Sequence, residues 1–210
     1  GGPAAAGTQT AGLIFGGATA PATADTEEYN GTSWSEQDNL GTARYNIGGA
    51  GTQTAALAFG GGPASPALKD NSEEYDGSSW TDGGDLNTAK QMHSGCGLQT
   101  AAIAFFGTTG SNSLTSENYD GSSWTAGTDG NTARRSGAGI GIQTSALMIA
   151  GTNPNKANVE EWNGSSWTEV GDVTTANQRL GASGTASVGL AFGGDGDLNG
   201  TELWDGTSWT

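Results

Sequence analysis

An all-β, five-bladed propeller with four antiparallel strands per blade is predicted by three observations. A phrase ending in tryptophan recurs five times, a small-apolar run ending in glycine recurs in phase with it, and an Asn-Gly or Asp-Gly step precedes each of those tryptophans. Trp34, Trp80, Trp124, Trp167 and Trp209 stand 46, 44, 43 and 42 residues apart, and the phrases they close read YNGTSW, YDGSSW, YDGSSW, WNGSSW and WDGTSW.

The apolar run is GLIFGG from Gly12, ALAFGG from Ala56, AIAFFG from Ala102, ALMIAG from Ala146 and GLAFGG from Gly189. Continuous apolar runs this short suit strands covered on both faces, as when sheets stack on one another. Ahead of the run stand GTQT at Gly7 and Gly51, GLQT at Gly97, GIQT at Gly141 and the divergent GTAS at Gly184. Earlier still come TAR at Thr42, TAK at Thr88, TAR at Thr132 and TAN at Thr175. Each unit then reads as a Gly-rich first strand (Tyr45–Thr52 in the second unit), an apolar second (Ala55–Phe59), an alternating third (Ser72–Tyr75) and a fourth beginning at Trp80. The Asx-Gly step is expected to supply the positive-φ residues of a tight hairpin between the last two.

One domain over 1–210 follows, with blades near 1–38, 39–84, 85–128, 129–171 and 172–210. Aligning Gly7 with Gly51 sets Gly1 opposite Tyr45, so both chain ends fall in the same inter-blade connection. The ring is therefore expected to close by packing of blade five on blade one, without an exchanged strand.

A strand ending in Gly-Gly, a variable loop, then two aromatics about a short turn resembles the kelch repeat. The residues that carry the likeness are Gly16-Gly17, Gly60-Gly61 and Gly193-Gly194, with Tyr29/Trp34, Tyr75/Trp80, Tyr119/Trp124, Trp162/Trp167 and Trp204/Trp209. The resemblance implies that the glycines close the second strand and that the aromatic pair packs between neighbouring blades. Phe106-Gly107 and Ala150-Gly151 depart from the doublet. The texture GTQTAALAFGG with EEYDGSSWT also resembles Kelch-like arrays of marine bacteriophages, which would imply a virion appendage or host-surface role and a virion or extracellular setting.

Composition narrows the partners. Seven Lys plus Arg against 22 Asp plus Glu give a net charge of −15, which repels phosphate backbones and anionic membranes, so neither nucleic acid nor a membrane surface is an expected partner. The longest apolar run, near Ala101–Phe106, is far below the roughly 20 residues that cross a bilayer as a helix. Cys96 is the only cysteine and His93 the only histidine, so no disulfide framework or Cys/His metal centre can form within one chain. No cofactor is expected, and the isolated domain is expected to be monomeric.

Glu27, Glu73, Glu117, Glu160 and Glu202 each stand two residues before an aromatic, on its strand face. Five carboxylates in a ring could hold a cation. The reading taken is that each accepts hydrogen bonds from backbone amides or from the repeated bases Arg44, Lys90 and Arg134, because buried charges are paired. Gln9, Gln53, Gln99 and Gln143, with Ala186 in the fifth place, are read as bridges to a neighbouring blade's backbone rather than lining of the axis. Asp76, Asp120 and Asp205 share their slot with Asn30 and Asn163 and read as turn formers. The GDGDLNG stretch from Gly194 is faintly calcium-like without the downstream glutamate such a loop needs. His93 and Cys96 are three apart, which on a strand sends their side chains to opposite faces, so they read as packing residues.

What differs between units is the loop after the apolar run: 18–25, 62–71, 108–115, 152–158 and 195–200. Variation on a repeated scaffold favours a non-enzymatic binding or assembly module for a glycan or a protein. The alternatives are a structural spacer or decoration domain and a glycosidase-like propeller. The latter is disfavoured because the inner-strand phrases YNIGGAGT, KQMHSGCG, RRSGAGIG and QRLGASGT hold no carboxylate to work as acid or base.

Overall fold

A computed structural model describes residues 2–18, 21–62, 68–152, 154–195 and 200–210. The protein is a five-bladed β-propeller, and no helix occurs among the described residues. Blade one holds β1 (Ala4–Thr8), β2 (Ala11–Phe15), β3 (Thr26–Tyr29) and β4 (Trp34–Glu36). Blade two holds β5 (Gly48–Thr52), β6 (Ala55–Phe59), β7 (Ser72–Tyr75) and β8 (Trp80–Asp82). Blade three holds β9 (Ser94–Leu98), β10 (Ala101–Phe105), β11 (Ser116–Tyr119) and β12 (Trp124–Ala126). Blade four holds β13 (Ala138–Ile142), β14 (Ser145–Gly151), β15 (Lys156–Trp162) and β16 (Trp167–Val170), and blade five holds β17 (Gly181–Gly184), β18 (Gly189–Phe192) and β19 (Thr201–Trp204). The fourth strand of blade five is reduced to a Trp204–Trp209 bridge, backed by mutual backbone bonds of Leu203 and Thr210 at 2.8 and 3.0 Å.

Every sheet pairs consecutive strands antiparallel, so no terminal strand completes the other end's blade. Antiparallel order also sorts the connections. The loops after β2, β6, β10, β14 and β18 share one end of the propeller with the inter-blade connectors, and the tight hairpins share the other.

The inner strands β5, β9 and β13 are glycine-rich because they converge where blades press together. A Cβ at Gly48 or Gly95 would overlap the Phe59 ring. The Asx-Gly hairpins differ from expectation: only the glycine takes positive φ (+92° at Gly77), while Asp76 stays in the ordinary region. Asp76 Oδ1 instead accepts from the backbone N–H groups of Ser78 and Ser79, both at 2.8 Å, and Asn30, Asp120, Asn163 and Asp205 do likewise. At Asp205 the Thr207 hydroxyl, and after it the Ser208 and Thr207 amides, hold the exposed carboxyl down at about 2.

The core lies between blades. Four apolar clusters each join two consecutive blades, for example Leu13, Phe15, Leu40 and Ile47 with Tyr75 and Trp80. The tryptophan of one blade plugs the preceding blade, at 4.9 Å for Phe15–Trp80 and 5.0 Å for both Phe59–Trp124 and Phe105–Trp167. Near the axis a chain of backbone bonds runs from Arg179 to Ser136, Met92, Asn46 and Gly2 at 2.7, 2.9, 3.0 and 2.8 Å.

The seam between blades five and one departs from the expected packing. Among the described residues no hydrogen bond, ion pair or aromatic contact crosses it. Trp34 is 51% exposed against 4–9% for Trp80, Trp124, Trp167 and Trp209, and Phe192 is 44% exposed where Phe15, Phe59 and Phe105 are wholly buried.

Candidate binding face

The buried charge positions are built from the connectors. Arg44 Nη2 lies 2.9 Å from Glu73 Oε1, Lys90 Nζ 2.9 Å from Glu117 Oε1 and Arg134 Nη1 2.5 Å from Glu160 Oε1, each pair almost wholly buried. The second carboxylate oxygen accepts from a connector amide: Gly41 N–H to Glu73 at 2.6 Å, Asn87 to Glu117 at 2.6 Å and Asn131 to Glu160 at 2.7 Å. Arg44 Nη1 also donates to the Gly60 and Asn71 carbonyls. Lys90 sits off the line of a hydrogen bond to Glu117 and donates to Thr115 Oγ1 at 3.1 Å. Burial pulls Arg44 and Arg134 below the ordinary guanidinium value, and the facing carboxylates pull them back up. Among the described residues Glu202 keeps only the amide bond, from Thr174 at 2.8 Å, because Asn177 replaces the base. Glu27 is exposed and has neither an amide nor a base among the described residues.

Gln53, Gln99 and Gln143 each give their side-chain amide to two carbonyls of the preceding blade, Gln99 to Ala56 at 3.1 Å and Tyr75 at 2.7 Å. Gln9 is exposed at the open seam. One set of cross-blade bonds has no strict periodic signal: Tyr75 Oη donates to Glu28 at 3.1 Å and Tyr119 Oη to Glu74 at 2.6 Å. Burial first and these carboxylates second push both phenols up to about 12. Blade three carries Asn118 in that slot and blade five Leu203, so the register was hidden.

Phe106 explains one departure from the glycine doublet. Its ring occupies the space above Gly130, where the other seams place Leu40, Leu86 or Val173, and it stacks against Arg134 at 4.6 Å. Both Phe106 (φ 60°) and Ala150 (φ 56°) take the left-handed conformation that glycine takes in the other units.

His93 and Cys96 are both buried, and no orienting group completes a nucleophile with them among the described residues. Burial, then Lys90 and Arg44, press His93 down to about 3, and burial lifts the Cys96 thiol to about 12, so the pair is a neutral imidazole and an inert thiol. His93 holds the place of Ile47 in the preceding seam and packs 5.4 Å from the Phe59 ring.

The loop end carries an axial pit of about 760 Å³ to which all five units contribute. Asn46, Met92, Ser136 and Arg179 line it in one repeated left-handed conformation, at φ 53–57°. The loops after the second strands leave from this end, and of them 19–20, 63–67, 153 and 196–199, including most of the GDGDLNG stretch, lie outside the described residues. Loop 108–115 is fully described and is tied down by its own bonds, Thr108 Oγ1 to the Ser111 carbonyl at 3.0 Å and Ser113 N–H to the Gly107 carbonyl at 2.9 Å. Asn112 reaches the next blade's Thr152 carbonyl at 3.1 Å. No protein-family model and no curated protein matches the chain, so its likeness to kelch repeats rests on the residues quoted above.

Proposed function

We propose that the protein is a non-enzymatic binding or assembly module that takes a glycan or protein surface at its loop end. The observation that supports this reading is the separation of roles along each repeat. At the four closed seams the recurring glutamates, bases, glutamines and tryptophans hold blades together, whereas the loops that vary most between units leave from the end of the propeller that carries the axial pit. The described part of that surface is mixed: Asn46, Ser136 and an exposed Arg179–Asp195 pair at 2.8 Å stand beside Pro3, Ile47, Met92 and Leu180. Polar groups set among apolar ones suit a glycan or a peptide surface, where hydroxyls or backbone amides alternate with apolar faces. The acidic chain directs it toward neutral or basic partners. Attachment to a virion, as the Kelch-like texture implies, is one setting for such a module.

A glycan array read beside a chain in which loop 108–115 is replaced by the shorter 152–158 sequence tests the reading. Reproducible binding that changes with the exchange supports it. Binding that is indifferent to the exchange, or absent at physiological salt across glycans and host-surface proteins, favours a structural spacer.

A further inference from the structure

The four closed seams show what a complete seam contains, and the fifth lacks the same parts on both of its walls. At the first seam Leu40 packs beside Phe15, its N–H bonds the Ala24 carbonyl at 3.0 Å, and the Arg44 carbonyl accepts from Gly17 N–H at 2.8 Å. The same connector turns its other side to the next blade, where the Gly41 amide and the Arg44 side chain both meet Glu73. One five-residue segment thus grips two blades at once. Leu86–Lys90 repeats the arrangement at the second seam, with Leu86 N–H to the Asp70 carbonyl at 2.9 Å and the Lys90 carbonyl to Gly61 N–H at 2.8 Å.

At the fifth seam both half-sites stand open. On blade five a pocket of about 250 Å³ beside Phe192, Ala191 and Leu180 occupies the place that Leu40 fills against Phe15. Among the described residues Gly194, the equivalent of Gly17, finds no connector carbonyl to bond. On blade one, among the described residues, Glu27, the equivalent of Glu73, has neither amide nor base, Gln9 reaches no carbonyl, and Trp34 meets the Tyr29 ring of its own blade at 5.1 Å but no ring of blade five.

We propose that the seam between blades five and one is a docking site for a connector-type peptide segment, with a leucine or valine followed four residues on by arginine or lysine. The apolar side chain enters the Phe192 pocket and the cation pairs with Glu27. Drawn together by this segment, the walls bring Trp34 onto Phe192 and its indole N–H to the Thr201 hydroxyl, the equivalent of Thr26, which accepts from Trp80 at 3.0 Å. Gln9 then donates to the Gly189 and Trp204 carbonyls, as Gln53 does to Gly12 and Tyr29. Leu203, 57% exposed in the slot that Glu28 and Glu74 hold elsewhere, meets Tyr29 as an apolar contact. This reading is independent of which ligand the loops take.

The test compares the 210-residue chain with one carrying the sequence of Asp38–Arg44 repeated ahead of Gly1, and with a scrambled control. Trp34 is the one exposed tryptophan of the seven, so acrylamide quenching of the intact protein reports on it. The expected result is loss of the quenchable component and a higher thermal midpoint with the connector but not with the scramble, both gains being removed by Glu27→Gln. The proposal is overturned if Trp34 is already protected in the unextended chain, if the connector leaves it as quenchable as before, or if Glu27→Gln leaves the gains intact.

Discussion

The seam between blades two and three and the seam between blades five and one are built from the same repeat positions and share almost no contacts. At the first, Trp124 stacks on Phe59 and donates to the Ser72 hydroxyl at 2.9 Å, Gln99 spans two carbonyls, Lys90 faces Glu117 and Tyr119 meets Glu74. At the second, Trp34, Gln9 and Glu27 present the same chemistry to open space. Identical side chains therefore act as structure in one place and as surface in another. What makes them structural is the neighbouring blade together with its connector.

The largest expected contrast is between two tryptophans. Trp124→Ala should lower unfolding free energy by about 3–5 kcal/mol, as large buried aromatics do, whereas Trp34→Ala should cost less than about 1 kcal/mol in the same urea titration. Equal losses would mean that the fifth seam is as tightly packed as the others. Next comes the buried ion pair. Arg44→Ala strands Glu73 with only an amide partner and should cost about 3–5 kcal/mol, whereas Glu27→Ala should fall within about 0.5 kcal/mol of the parent.

The pH dependence separates two closed seams. His93 in the folded chain titrates at about 3, against an ordinary value of 6.5, so between those values the unfolded chain binds a proton that the folded chain refuses. Its stability is complete above about pH 6.5 and falls as pH drops, by about 2 kcal/mol at pH 5. His93→Ile, which copies Ile47 at the equivalent place, should remove that part of the acid sensitivity. Parallel stability–pH curves for parent and variant would show His93 to be accessible in the folded state. The smallest contrast is Gln99→Ala against Gln9→Ala: the loss of two buried acceptors' partner should cost about 1–3 kcal/mol, and the exposed glutamine close to nothing.

Much of this was legible in the sequence because each repeat names its own partners. The interval between tryptophans specifies blade number, and the recurrence of Glu73, Glu117 and Glu160 with Arg44, Lys90 and Arg134 points to buried pairs. Three things were not legible. The Phe106–Gly130 exchange couples residues 24 positions apart that have no periodic counterpart. The Tyr75–Glu28 and Tyr119–Glu74 bonds were masked by Asn118 and Leu203 in the matching slots. Periodicity describes how unit n meets unit n+1, and it carries no information about how the last unit meets the first. The candidate binding face is the least legible part, because its residues differ from unit to unit and so leave no repeated signal.

Native-state hydrogen exchange read strand by strand weighs the two kinds of seam most directly. The inner strands β5, β9 and β13, walled on both sides, should exchange only through global unfolding, while β1 and the β17–β19 sheet open at lower free energy. Uniform protection across all five blades would contradict the account.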